Sequence, residues 1–237
     1  MAQTSESIHE IPLLTAEECD RVRSELHAVR GRWRKRNQFP FYTVGAASYL
    51  DHTAGREQML QRAAEDNPLL NEHFHWVHER VLKALGDDVQ QPTLLDPVFA
   101  APGFHVFEGH EAFTQPLASM HFDLQYEHYD WSERYRDIDR SSPLSLTLPI
   151  RLPACGSGLR VWDITWEEAQ AMSKEDFTHF KKTAPFTYHP YAPGVMVIHS
   201  GHYLHQIAPL TEVHPGDERI TLQAHSVRTE KGWVVYW

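Results

Sequence analysis

The second part of the chain, from about residue 93 onward, consists of short β-type segments interrupted by proline and glycine. Alternating and aromatic-rich runs of this length predict strands, and one stretch among them, residues 166–181, predicts a helix. Many short strands without regular intervening helices favour a sandwich or barrel over a parallel α/β sheet. The predicted strands are 93–100, 103–108, 144–151, 159–163, 186–189, 195–199, 203–208, 219–226 and 233–237.

Helical signals are concentrated in the first third of the chain. Residues 15–18 form a capping-box pattern that opens a helix, and residues 67–85 form a second amphipathic stretch, which Gly86 is expected to end. Residues 41–50 predict a strand. We therefore expect one mainly β domain spanning residues 1–237, in which residues 1–92 support a core formed by residues 93–237.

Composition narrows the possible partners. The 237 residues include 22 Lys and Arg against 32 Asp and Glu, a formal net charge of -10, which argues against nucleic acid and anionic membranes. Neither a secretory leader nor a membrane-spanning apolar run is recognisable, which predicts a soluble, cytoplasmic protein. Cys19 and Cys155 stand far apart, so neither a disulfide framework nor a cysteine-based zinc site is predicted. Composition does not determine the oligomeric state.

Residues 120–131 contain His-x-Asp twice, as His121–Asp123 and as His128–Asp130. A histidine and an aspartate two residues apart can bind one metal ion, although 17 histidines make about one such tripeptide expected by chance. The first pair follows an apolar lead-in and contains Phe122, as at the rim of a strand. The second pair lies in a charged stretch without periodicity. We therefore predict that His121 and Asp123 are ligands, and assign the second pair to a lid or a solvated surface.

A third ligand is expected from residues 193–209, where an apolar strand turns at Ser200–Gly201 and a second strand follows. His199, His202 and His205 compete for this role. The sequence context favours His205, His199 is the alternative, and His202 suits the turn.

Arg219 opens an otherwise apolar strand, which is a costly position for a charge without a partner. A bound dicarboxylate would provide that partner, and Thr221, two residues on, points to the same face and can add a hydrogen bond. The alternative is an ordinary surface ion pair with Asp217 or Glu218.

The ordered set of His121-x-Asp123, His205 and Arg219-x-Thr221 resembles the motif of the iron(II)- and 2-oxoglutarate-dependent oxygenases. The resemblance covers roughly residues 93–228 and implies a jelly-roll, or double-stranded β-helix, core. It further implies that His121, Asp123 and His205 hold Fe(II), that 2-oxoglutarate and O2 are cosubstrates, and that Arg219 and Thr221 bind the distal carboxylate of 2-oxoglutarate.

The resemblance also implies a reaction, the hydroxylation of an unactivated C–H bond with release of succinate and CO2. Related halogenases have Gly or Ala in place of Asp123, so the aspartate favours hydroxylation, with desaturation or ring formation as alternatives. We expect a small-molecule substrate, namely a free amino acid or small biosynthetic intermediate. Tyr126 and Trp131, in the possible lid 125–142, are candidate substrate contacts; the alternative is an aromatic loop that merely packs on the sheet.

Three other hypotheses remain open at this stage. The first is a jelly-roll iron oxygenase that does not use 2-oxoglutarate, against which Arg219 and Thr221 argue. The second is a peptidyl hydroxylase, which would need a groove in place of a closed pocket. The third is a non-catalytic β-sandwich protein with a structural metal, for which a closed four-ligand site is expected.

Overall fold

The structure, a computed structural model, describes residues 8–237. Its strands are β1 (Ile8–Pro12), β2 (Arg34–Lys35), β3 (Phe41–Val44), β4 (Thr93–Leu95), β5 (Gly103–Glu108), β6 (Ile138–Arg151), β7 (Gly158–Thr165), β8 (Thr187–Pro190), β9 (Val195–Ser200), β10 (Tyr203–Ile207), β11 (Glu218–Thr229) and β12 (Gly232–Tyr236). Its α-helices are α1 (Ala16–Ala28), α2 (Ser48–Asp51), α3 (Arg56–Val89), α4 (Trp166–Ala171) and α5 (Lys174–Thr183). Within this range, no helix combines the length and apolar character needed to cross a membrane.

The strands form a nine-stranded and a three-stranded sheet. The path through the large sheet is β1-β9-β6-β11-β5-β3-β2, with β12 paired to β11 and β4, and the small sheet has the order β10-β7-β8. Every pairing is antiparallel except that between β12 and β4. Leu159 and Val161 of the small sheet pack against Val197 of the large sheet. The predicted mainly β, jelly-roll architecture with N-terminal helices is confirmed.

Side chains alternate along β11 and separate two environments. Ile220, Leu222 and Ala224 point into the main hydrophobic core, where α1 and α3 cover the outer face of the large sheet. Arg219 and His225 line a cavity on the opposite, inner face. The helices of the first third thus stabilise the sheet from behind, while the inner face stays free for polar residues.

Local boundaries differ from the prediction in several places. The strand predicted for residues 93–100 ends at Leu95, the strand predicted for residues 144–151 begins at Ile138 within the predicted loop, and β1 and β2 were not predicted. The strand predicted for residues 41–50 ends at Val44, because Gly45 adopts a φ of 104° and turns the chain into α2. The helix predicted for residues 67–85 runs from Arg56 to Val89 and ends at Gln90 in a left-handed conformation, so Gly86 lies inside it. The single helix predicted for residues 166–181 is interrupted by Ser173, which caps α5.

Gly103, at the start of β5, has no space for a side chain. A Cβ there would lie 2.2 Å from a ring carbon of Trp237 and 2.6 Å from the carbonyl oxygen of Val44. We expect Gly103→Ala to lower the free energy of unfolding by about 1–3 kcal/mol, the usual cost of overpacking. Gly31→Ala is the matched control, because its Cβ would meet nothing within 4 Å. Urea unfolding of both variants measures the difference, and equal midpoints would contradict the prediction.

Asp51, which is fully buried, joins α2 to the strands and helices around it. Its carboxylate accepts two hydrogen bonds from Arg36, at 2.6 and 3.0 Å, and also contacts Arg62 and Arg34. Burial by itself raises the pKa of Asp51, but the three guanidinium groups outweigh it and hold the pKa below its usual value.

Removing this carboxylate would leave several arginines without their shared partner. We expect Asp51→Ala to cost about 3–5 kcal/mol in unfolding free energy, as for other broken buried ion pairs. Asp87→Ala, which breaks an exposed pair with Lys83, should cost no more than about 1 kcal/mol. Thermal and urea unfolding would show the contrast; a small loss in Asp51→Ala would mean that the arginines are well solvated.

Candidate metal centre and adjoining cavity

A cavity of about 320 Å³ lies between the two sheets. One part of its lining is polar and the other is apolar and aromatic. The polar part includes Tyr49, His105, His121, Asp123, Gln125, Ser145, Thr147, Tyr191, His199, His205, Arg219, Gln223 and His225, and the apolar part includes Phe41, Phe107, Phe113, Leu117, Leu159, Ile207, Leu210 and Trp237.

His121, Asp123 and His205 converge at this cavity. Nε2 of His205 lies 3.1 Å from one carboxylate oxygen of Asp123, and Nε2 of His121 lies 3.5 Å from the other. One potential ligand atom from each residue lies within 4.8 Å of the other two, so a single ion could be shared. Backbone hydrogen bonds between residues 121 and 205 fix the two segments side by side.

The far nitrogens of both histidines are already engaged. Nδ1 of His121 donates to the carbonyl oxygen of Ser119 at 2.9 Å, and Nδ1 of His205 donates to that of Tyr203 at 2.8 Å. A proton on Nδ1 leaves the Nε2 lone pair available, and both Nε2 atoms face Asp123. This is the tautomer and orientation that metal-binding histidines need.

Asp123 is buried and is held by neutral donors as well as by the histidines. Ser145 Oγ donates to its carboxylate at 2.5 Å, and the Gln125 side-chain amide donates at 2.9 Å. Burial raises the pKa of Asp123, but the nearby imidazoles of His205, His225 and His121 outweigh this and lower the pKa well below its usual value. Asp123 is therefore an oriented carboxylate that could bind a metal ion.

His205 is favoured over the other two candidate histidines by this geometry. His199 lines the same cavity and its ring centre lies 4.7 Å from that of His205, but it is not part of the cluster whose ligand atoms all lie within 4.8 Å of one another. His202 instead contacts Glu167 at 3.2 Å. Burial and the neighbouring His205 lower the pKa of His199 to about 3, so this imidazole is neutral.

The turn between β9 and β10 explains how His199 and His205 face one cavity. The chain leaves the large sheet at Ser200 and enters the small sheet at Tyr203, so the two residues belong to different sheets. Gly201 permits this, since its carbonyl oxygen accepts from the Asp123 backbone amide and a Cβ would lie 2.7 Å from the Asp123 carbonyl oxygen.

Arg219 is buried in the cavity wall with 5% exposure, and neither Nε nor Nη2 has a hydrogen-bond partner among the described residues. The surface ion pair considered from the sequence is not formed: Glu218 pairs with Arg23 and His27 instead. The Arg219 guanidinium packs near the rings of Phe107 and Tyr191, at 5.6 and 5.8 Å. A buried arginine without an acidic partner is a recognition element for an anion.

Thr221 points to the same side of β11 as Arg219, but it is fully buried and is not part of the cavity lining. Its hydroxyl accepts from the Gln223 side-chain amide at 2.8 Å, and Thr147 donates to the amide oxygen at 3.1 Å. Gln223 does line the cavity. In this structure Thr221 therefore orients Gln223, and its own contact with a cosubstrate stays a prediction.

The second His-x-Asp pair lies apart from the first. The His128 ring stacks on that of His52 at 3.9 Å, and Asp130 is exposed and contacts Arg56 and Ser132. Neither residue belongs to the cluster that could hold an ion with His205. This placement agrees with the assignment of the second pair away from the metal.

Tyr126 and Trp131 lie in a hydrophobic cluster with Tyr129 and Tyr135, not in the cavity lining. Trp131 donates to the Tyr126 carbonyl oxygen at 2.7 Å, so the segment is tied to itself as well as to the sheet. This arrangement resembles the packed aromatic loop weighed above. A substrate contact by either residue stays a prediction without support from this geometry.

Several cavity residues were not predicted from the sequence. Tyr49 Oη lies 2.7 Å from His105 Nε2, and His225 Nδ1 lies 3.8 Å from the Asp123 carboxylate. The signal that could have found His225 is its even spacing from Arg219 on β11, and His105 gave no comparable signal.

No protein-family model matches the sequence, and no curated protein matches it either. Among solved structures, the N-substituted L-amino acid dioxygenase of Burkholderia ambifaria AMMD is 18% identical, with a TM-score of 0.59 over 98% of this chain and 86% of that chain. Its complex with 2-oxoglutarate (alpha-KG) is 16% identical and aligns with a TM-score of 0.57 over the same 98% and 86%. The likeness shows that the chain has the fold of this dioxygenase.

A further structure, AviO1 from Streptomyces viridochromogenes Tue57, is 14% identical, with a TM-score of 0.50 over 95% of this chain and 91% of that chain. At this level of identity these likenesses show the fold alone. Within that fold, the chain carries a His-x-Asp and distal-His cluster and a buried, unpaired arginine in one cavity.

Proposed function

We propose that this protein is an iron(II)- and 2-oxoglutarate-dependent oxygenase. The observation that carries the proposal is that one cavity contains both a possible set of metal ligands and a buried cation. His121, Asp123 and His205 offer a two-histidine, one-carboxylate ligand set, and Arg219 offers a buried cation that no carboxylate among residues 8–237 neutralises. A metal and a dicarboxylate together would satisfy both.

The ligand set can hold a metal cation such as Fe(II), and the pKa of His205 is consistent with this. Burial lowers the pKa of His205, but the Asp123 carboxylate outweighs it and raises the pKa overall, so this pair favours a cation between its members. A metal ion can replace that proton. Three protein ligands would leave coordination positions open, as a catalytic site needs and a closed structural zinc site does not.

The protein residues would contribute position and shielding. Bound iron would supply the oxidative chemistry that couples decarboxylation of 2-oxoglutarate to succinate and CO2 with oxidation of a substrate C–H bond. Arg219 would bind the distal carboxylate through charge-assisted hydrogen bonds, and Gln223, held by Thr221 and Thr147, lies on the same cavity wall. Ser145 and Gln125 would hold the Asp123 carboxylate in orientation.

The cavity supports a small-molecule substrate. Its volume of about 320 Å³ leaves limited space beside 2-oxoglutarate, and part of the wall is aromatic. The fold relative from Burkholderia ambifaria is named as an N-substituted L-amino acid dioxygenase, which supports a free amino acid or a small biosynthetic intermediate as substrate. Arg219 is the sole Arg or Lys in the lining among residues 8–237, so a substrate carboxylate would have to bind to neutral donors.

The proposal is tested by measuring succinate formed from 2-oxoglutarate by protein reconstituted with Fe(II), in air and under anaerobic conditions. We expect turnover that requires both iron and O2 and that increases when the correct substrate is added from a panel of amino acids and small metabolites. Product mass distinguishes hydroxylation, a gain of one oxygen atom, from desaturation or ring formation. Substrate oxidation that proceeds without 2-oxoglutarate would overturn the cosubstrate assignment.

A further inference from the structure

A second group of metal-binding side chains lies at the rim of the cavity, outside the cluster described above. Sγ of Cys155 lies 3.0 Å from a carboxylate oxygen of Glu212 and 3.8 Å from Nε2 of His214. The same oxygen of Glu212 lies 3.1 Å from that imidazole nitrogen. A thiol, an imidazole and a carboxylate thus converge on one point, and Glu212 and His214 are exposed, so an ion from solvent can reach them.

The two loops that carry these residues are held together by their backbones. Cys155 lies in loop 152–157, and Glu212 and His214 lie in loop 208–217. Residues 156 and 210 form an isolated β-bridge. The Asp217 carboxylate accepts from the backbone amides of both Ala154 and His214, at 3.0 and 2.7 Å. The three side chains are therefore brought together by contacts independent of any ion.

The mixture of donors indicates which ion would bind. Sulfur, nitrogen and oxygen ligands suit Zn²⁺, whereas Mg²⁺ and Ca²⁺ require oxygen ligands. We propose that Cys155, Glu212 and His214 form a zinc(II)-binding site at the cavity rim, separate from the site formed by His121, Asp123 and His205. Zinc would bind the thiolate, and the thiol proton, which Cys155 now donates to Glu212, would pass to solvent.

The two loops that carry the proposed zinc site also contribute residues to the cavity lining. Loop 208–217 connects the strand that carries His205 to the strand that carries Arg219. Leu210 from this loop and Pro153 from the other line the cavity. An ion shared by the two loops would restrain the part of the cavity wall that Leu210 and Pro153 form.

Cobalt(II), a spectroscopic substitute for zinc, tests this site without relying on catalysis. Metal-free, reduced protein is titrated anaerobically with Co²⁺, and the thiolate-to-cobalt charge-transfer absorption in the near ultraviolet is recorded. The absorption requires a cysteine ligand, so cobalt at the His121, Asp123 and His205 site does not produce it. Competition with Zn²⁺ then gives the zinc affinity.

We expect the absorption in the wild-type protein and in His205→Ala, which keeps the rim site intact. Cys155→Ser should abolish it, and His214→Ala should weaken metal affinity at least about tenfold, since even outer-shell partners are worth that much. Cys19→Ser is the matched control, because Cys19 is buried elsewhere, and it should retain the absorption. Absence of the band in the wild-type protein, its persistence in Cys155→Ser, or its loss in Cys19→Ser would overturn the proposal.

Discussion

His205→Ala is expected to reduce 2-oxoglutarate turnover by more than about 100-fold, because even the outer partners of metal ligands are worth 10–100-fold. The imidazole that would be lost lies 3.1 Å from Asp123, and neither His199 nor His225 belongs to the cluster that could hold an ion. His121→Ala should have the same effect. Succinate formation and iron content per chain, measured on the same preparations, check both variants.

The duplicated His-x-Asp sequence provides the control for this prediction. His128→Ala and Asp130→Ala change the same residue types a few positions away, where they contact His52 and Arg56 instead of the cluster. Both variants should retain iron and turnover. Undiminished turnover in His121→Ala or His205→Ala would contradict the metal assignment, and loss in His128→Ala with retention in His121→Ala would transfer it to the second pair.

Arg219→Met should raise the KM for 2-oxoglutarate by about 100-fold, since a charge-assisted hydrogen bond is worth roughly 1.5–3 kcal/mol and a bidentate contact would be lost. The same substitution should not destabilise the cosubstrate-free protein, because the buried guanidinium lacks a partner there and methionine fills similar space. These opposite effects on binding and stability separate a ligand-binding arginine from a structural one. Steady-state kinetics and thermal unfolding with and without 2-oxoglutarate measure them.

Arg228→Met is the matched control on the same strand. Arg228 is largely exposed and pairs with Asp139 at the surface, so its loss should leave the KM for 2-oxoglutarate unchanged. An unchanged KM in Arg219→Met would show that the dicarboxylate binds elsewhere. A large loss of stability in that variant without cosubstrate would favour a structural role for the arginine.

Many strands in the second part of the chain were predictable from the sequence because they have a local signal, whereas β1 and β2 were not predicted. β5 runs from Gly103 to Glu108 as predicted, since alternation and flanking glycine define it. The strand predicted through Leu50 was wrong beyond Val44, because a positive φ at Gly45 and the burial of Ala46 and Ala47 beside Trp237 are tertiary effects. Nothing local in Ala46 or Ala47 distinguishes a strand from a turn.

The candidate site was predictable only in part, for a similar reason. His121, Asp123, His205 and Arg219 share an ordered spacing that a sequence reader can recognise. Contacts such as Tyr49 with His105 join residues from distant segments, and no spacing rule predicts them. The cluster of Cys155, Glu212 and His214 was not predictable either, because these residues meet only where two distant loops are bridged. Nothing in the sequence indicated a metal site that contains a cysteine.

Because side chains alternate along β11, the pairing register of this one strand determines both which residues line the cavity and which residues enter the hydrophobic core. A slip of one residue would turn Ile220 and Leu222 toward the cavity and force Arg219 and His225 against the helices. Pairing with β5, β6 and β12 opposes such a slip from both edges. A one-residue insertion or deletion inside β11 would therefore destroy folding and ligand recognition together, whereas length changes in the loops beyond its ends leave that register intact.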